Sequence, residues 1–100
     1  MKKKTGSLVA FRLLGDLEPA QRTKLFRQLY GWRDKSQYGR YEYQRRGLLG
    51  KIGYVPIIRG VFIVKTTDKK KVLKFFRGKA KVFSREIILN AEEEKRLYSR

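Results

Sequence analysis

The chain has no cysteine, no histidine and only nine acidic residues among its 100. Without cysteine there is no disulfide framework, no thiol nucleophile and no thiolate metal site. Without histidine the commonest metal ligand, and the commonest general base near neutral pH, is missing as well. The carboxylates left for chemistry are Asp16, Glu18, Asp34, Glu42, Asp68, Glu86 and the run at 92–94. No phosphate-binding loop, Gly-rich dinucleotide fingerprint or Ser/His/Asp set accompanies them. A non-catalytic protein is expected, with no cofactor and no metal. Long hydrophobic runs are also lacking. The segment "LVAFRLL" at residues 8–14 holds Arg12 and spans seven residues, too short and too polar for a signal-peptide core or a membrane span. The expectation is a cytoplasmic protein without a membrane partner. Neither of the two main helical segments combines a strongly apolar face with Trp or Phe at its polar boundary, which argues against a membrane-surface or acidic-protein binder.

What is present in excess is positive charge. Twenty-six Lys and Arg against nine Asp and Glu give a formal net charge of +17 and a pI near 10.5. Self-repulsion on that scale opposes a compact chain, and it is tolerated where the partner is a polyanion. The excess runs through the folded body, with 12 basic and 4 acidic residues in the first fifty and 14 and 5 in the last fifty. Surfaces adapted to high temperature mix Lys with Glu and do not omit the acid. Nucleic acid is therefore the expected partner.

Hydrophobic residues make up 41% of the chain, enough for one modest core. Residues 1–7 read as a basic flexible N-terminus, 8–90 as a single α+β nucleic-acid-binding domain and 91–100 as a short C-terminal helix and tail. Leu8 to Leu14 alternates as a strand, with Val9, Phe11 and Leu13 on one side. "DLEPAQRTKLFRQLYG" reads as a helix, with Asp16 and Glu18 at its positive end, Pro19 in the first turn, Leu25, Phe26 and Leu29 as the buried stripe and Gly31 as the stop. "YEYQRR" fits a second strand, "VPIIRGVFIVK" a buried central strand, "TTDKKKVLKFFRG" a helix capped by Thr67 or Asp68, and "KVFSREIIL" a further strand. "NAEEEKRLY" completes the chain as a short helix capped by Asn90. The order is βαββαβ, the ferredoxin-like pattern of an antiparallel sheet with two helices on one face. The Gly spacing at 47, 50 and 53 leaves a long hairpin or a loop open as another reading of residues 33–56.

The aromatic residues are segregated by type. All six phenylalanines fall in segments assigned to the core, whereas the single Trp and five of six tyrosines fall within residues 30–54. That stretch interleaves rings carrying a hydrogen-bonding edge with Lys and Arg. Bases stack on aromatic faces and guanidinium planes while cations neutralise phosphate, which is the chemistry of binding nucleic acid with unpaired bases. The residues expected to bind are Trp32, Arg33, Lys35, Tyr38, Arg40, Tyr41, Tyr43, Arg45, Arg46, Lys51 and Tyr54. Tyr30 and Trp32 are also expected to serve as packing anchors. A second basic set lies on and after the second main helix, at Lys69, Lys70, Lys71, Lys74, Arg77, Lys79 and Lys81. From it Lys70, Lys71, Lys74 and Arg77 are the expected phosphate contacts.

Two local resemblances carry further implications. "RGVFIV" at residues 59–64 resembles the ribonucleoprotein signature of RNA-recognition motifs at Arg59, Gly60 and Val64, and the βαββαβ order fits that fold. Val61 and Ile63 stand where the motif has stacking aromatics and Phe62 falls on the opposite face, so the segment reads as a buried strand. Asp16 lies just after the first strand, where small CRISPR-associated nucleases of similar element order carry a metal-binding aspartate. "RLLGDLEP" departs from their strand-end motif, and an acid at a helix start accounts for the residue. The function expected is that of an RNA-binding structural component of a ribonucleoprotein such as the ribosome, RNA being preferred over DNA and other proteins of the particle being partners. A dimeric DNA-binding or chromatin protein, with a metal-dependent nuclease as its catalytic variant, is the alternative.

Overall fold

The computed structural model describes residues 4–36 and 41–98, with side chains over 4–32 and 46–98. Its elements are β1 (Thr5–Leu13), α1 (Pro19–Tyr30), β2 (Gly31–Ser36), β3 (Tyr41–Arg46), α2 (Leu48–Ile52), β4 (Val55–Ile58), β5 (Val61–Lys65), α3 (Lys69–Phe76), β6 (Ala80–Ile88) and α4 (Ala91–Tyr98). They form two compact units, Leu17–Lys51 and the larger Met1–Asp16 with Ile52–Arg100.

The larger unit is built on an antiparallel sheet in the order β4-β5-β1-β6. Alternation along β1 divides its side chains between two faces. On one face Phe11 stacks on Phe76 of α3 with ring centroids 4.5 Å apart. Val9, Phe62, Val64 and Val72 close this core, all with 1% exposure or less. Each such side chain contributes on the order of 1.5–3 kcal/mol by leaving water. Tyr54 meets the Phe62 ring edge-on at 6.3 Å. On the opposite face Val55, Ile63, Leu89 and Leu97 form a second cluster with Leu8 and Ile87 packed against it, so α4 covers one half of that face. Helix α4 starts with a capping box, Glu93 N–H donating to Asn90 Oδ1 at 2.8 Å and Asn90 N–H to Glu93 Oε1 at 2.9 Å.

The smaller unit joins α1 to a hairpin. Glu18 and Gln21 form the capping box that opens α1, with Glu18 N–H donating to Gln21 Oε1 at 2.9 Å. Leu25 and Leu29 are buried beneath it. Gly31 closes the helix at φ 95°, a left-handed conformation that favours glycine, and the chain turns directly into β2. Gly47 is buried where the chain passes the end of α1. A Cβ there would lie 2.4 Å from both the Leu29 carbonyl oxygen and the Gly31 nitrogen.

The mixed α+β class, the first and last strands, the helices starting at Pro19 and Lys69 and the C-terminal helix match the sequence-based expectation. The βαββαβ succession does not, because six strands are divided between a four-stranded and a two-stranded sheet. Tyr41–Arg46 pairs with Gly31–Ser36 and not with the main sheet. Two segments so close in sequence lose little chain entropy on pairing, and Gly31 releases β2 in time to supply the partner. Residues 55–65 are a hairpin and not one central strand. Gly60, at φ 85°, provides its turn, and Pro56, lacking an N–H, suits the edge strand β4. Strand β1 begins at Thr5, ahead of the expected Leu8. Neither expected cap operates at α3. A 3-10 turn, Thr66–Asp68, precedes that helix, and Asp68 makes no capping hydrogen bond; its carboxylate lies 3.7 Å from Lys71 Nζ.

Candidate nucleic-acid interface

The half of the sheet that α4 leaves open is neither apolar nor neutral. Register places Ala10, Arg12, Val61, Lys81, Phe83 and Arg85 on the same face, with Arg12 directly opposite Lys81 and Ala10 opposite Phe83. Phe83 is 54% exposed, unlike the other five phenylalanines, which are buried or half-buried. The Arg85 guanidinium carbon lies 5.5 Å from the Phe83 ring centroid. Ile58, 70% exposed at the sheet's other edge, adds an apolar contact surface to this face. No acid among the described residues pairs with Arg12, Lys81 or Arg85. Like charges directly opposite in an antiparallel pair repel. A ring flanked by cations and open to solvent has the composition of a base-stacking platform.

Behind β6 the second basic set forms a groove. Lys70, Leu73, Lys74, Phe76, Arg77, Ala80 and Val82 enclose about 490 Å³ between α3 and the strand. Lys70 and Lys74 are one helical turn apart and Arg77 follows three residues later, which puts three cations along one rim. Three of the four lysine and arginine residues expected on α3 are thus brought together. Lys71 is turned to Asp68 and does not line the groove.

The basic and aromatic segment is described in part. Trp32, 37% exposed, borders a groove of about 540 Å³ with Ala20, Thr23, Lys24, Arg27 and Gln28 of α1. Tyr30 stacks on Phe26 with centroids 6.2 Å apart, and Arg46 and Lys51 are exposed. Tyr54, against Phe62, has a packing role in the larger unit. Hairpin register sets Trp32 opposite Arg45, Asp34 opposite Tyr43 and Ser36 opposite Tyr41. The side chains of Arg33, Lys35, Tyr38, Arg40, Tyr41, Tyr43 and Arg45 lie outside the described residues.

Of the described acids, Glu86 is exposed on β6 on the face opposite Phe83, where register pairs it with Ser7. Glu92, Glu93 and Glu94 stand in the first turn of α4, on the covered half of the sheet. Asp16 is exposed in the turn after β1, and among the described residues no three acids gather as metal ligands would. No described helix is long and apolar enough to cross a membrane. In comparisons with known proteins the chain matches no protein family, no curated protein and no solved structure.

Arg12, Phe83 and Arg85 are the polar and aromatic residues of the open sheet face that the sequence reading did not single out. Phe83 lies in a segment read as a core element, yet its ring is exposed because the layer covering that face ends with α4. A signal was present in the alternation Lys81, Phe83, Arg85 along one strand: a lone aromatic between two cations is a poor core face and a good binding one.

Proposed function

We propose that the protein binds RNA without catalysis, as a structural component of a ribonucleoprotein such as the ribosome. It would hold the RNA by phosphate contacts and by stacking unpaired bases on the open half of the sheet. The observation that carries the proposal is the exposed Phe83 ring on a strand between Lys81 and Arg85, with Arg12 facing Lys81. An anion seated there relieves the cross-strand repulsion and gives the ring a partner. RNA is favoured over DNA because polar-tipped aromatics interleave with cations and because the +17 charge is spread along the chain. Such a component has other proteins of the particle as neighbours and works in the cytoplasm.

The fold supports the same proposal. With the β2–β3 hairpin set aside, the succession β1-α1-β4-β5-α3-β6 and the antiparallel order β4-β5-β1-β6 are those of a split βαβ sheet. On this proposal the hairpin would be an insertion into a ferredoxin-like plan.

Fluorescence anisotropy with labelled single-stranded RNA, duplex RNA and duplex DNA, repeated over a salt series, tests the proposal. The expected result is tightest binding to the unpaired RNA, with log K falling by about 0.7 per neutralised phosphate for each unit of log salt. Absence of binding to any RNA refutes it. Tightest binding to duplex DNA replaces it with the DNA-binding alternative. Magnesium-dependent cleavage abolished by Asp16→Asn replaces it with a nuclease.

A further inference from the structure

We propose that a single unpaired strand wraps round the free edge of β6, with bases on the Phe83 face and phosphates in the α3 groove on the other side. The proposal rests on the RNA-binding function above and specifies the form of nucleic acid that fits. Strand β6 ends the sheet, and its outer row of backbone groups has no strand partner among the described residues. Its nine residues run for roughly 30 Å. Alternation places Lys81, Phe83 and Arg85 on one side of this blade and Ala80 and Val82 on the other, where those two line the basic groove. One strand of protein therefore separates a stacking platform from a row of three cations.

Cations outnumber acids on both sides, the exposed Glu86 on the groove side being the one acid that β6 itself carries. No acid lines the groove, Asp68 is already paired with Lys71, and the glutamates of α4 belong to the covered half of the other face. Lys70 and Lys74 are one turn apart on α3 and Arg77 is its C-cap residue; like charges gathered on one groove repel until counter-ions or phosphates intervene. The floor of Leu73, Ala80 and Val82 is apolar and suits the sugar edge of a nucleotide whose phosphates meet the rim. A double helix does not satisfy this geometry. Its bases are stacked inside, so it cannot lay a base on Phe83 while its backbone occupies the opposite side of the same strand.

The test uses the full chain with three variants: the groove triple Lys70→Gln/Lys74→Gln/Arg77→Gln, the face variant Phe83→Leu, and their combination. Each is titrated by anisotropy with a labelled 12-nucleotide single strand, a 4-nucleotide single strand and a 12-base-pair duplex, and each is melted as a control for folding. The triple should lower the salt slope for the long strand by about two, from three phosphates at about 0.7 each. It should leave the 4-nucleotide strand, held on the Phe83 face, within about twofold, and should lower the salt slope for the duplex by less than for the long strand. Phe83→Leu should weaken both single strands. An unchanged salt slope for the triple on the 12-nucleotide strand, beside a loss from Phe83→Leu, overturns the wrapping while the RNA-binding function stands. No binding of any strand by the unaltered protein overturns both. A poly-glutamate peptide that displaces the 12-nucleotide strand and protects the β6 amides from exchange assigns the edge to an acidic protein segment and overturns the wrapping as well.

Discussion

Replacing Phe83 separates binding from folding more cleanly than any other single change on this surface. The ring is 54% exposed, so a little under half of it is covered. With roughly 200 Å² for a fully buried aromatic, the covered part is about 90 Å², worth at most about 2 kcal/mol at about 25 cal/mol per Å². Phe83→Leu keeps most of that contact and should cost under about 1 kcal/mol of stability, a shift of no more than about 4–8 °C in a domain of this size. The loss in binding is larger. One base stacked on an aromatic ring is worth about 1–3 kcal/mol, or roughly 5- to 150-fold in Kd. Arg85, 5.5 Å from the ring, loses a cation–π contact of about 0.5–1 kcal/mol at the same time and is less well held for phosphate. Anisotropy with single-stranded RNA, beside a thermal melt, reads both quantities. A Kd change below twofold in both Phe83→Leu and Phe83→Ala, with folding intact, would show that the ring is not a stacking surface.

Three further substitutions test the packing and the charge. Lys81→Glu turns the repulsive pair with Arg12 into an attractive one, so it should raise stability by about 0.2–1 kcal/mol in a denaturant melt while weakening RNA binding; a loss of both is the adverse result. Gly47→Ala drives a methyl group into the backbone at Leu29 and Gly31, and should cost on the order of 3 kcal/mol, seen as faster hydrogen exchange confined to residues 17–51. Ser7 is 1% exposed and its hydroxyl has no hydrogen-bond partner among the described residues, so Ser7→Ala should raise the melting midpoint, by about 1 kcal/mol in stability.

Local signals explain which parts of this fold are legible in the sequence. Pro19 and Gly31 bracket α1, Asn90 and Glu93 open α4, and alternation marks β1 and β6. Strand β2, "GWRDKS", has one apolar residue and no period of its own, and it exists because β3, close by in the sequence, pairs with it. In "VPIIRGVFIVK" a continuous apolar run hides the turn at Arg59-Gly60, and the outer strand leaves Ile57 and Ile58 exposed. The site divides in the same way. Of the expected set Lys70, Lys71, Lys74 and Arg77, three line one groove and Lys71 turns to Asp68. Whether Phe83 is covered depends on how far α4 reaches across the sheet, a long-range fact that a window of neighbouring residues does not contain.

The position of β1 also sets the order in which the molecule can assemble. This strand is the inner one between β5 and β6, yet its partners lie at residues 61–65 and 80–88. During synthesis its apolar side chains must wait for most of the remaining chain to emerge. The helix and hairpin of residues 17–51 need only neighbours and can form long before. The last strand of the sheet to be synthesised is β6, the strand carrying Phe83. Until it pairs, Phe83 and Arg85 have no sheet to stand on, and Arg12 has no cross-strand neighbour in Lys81.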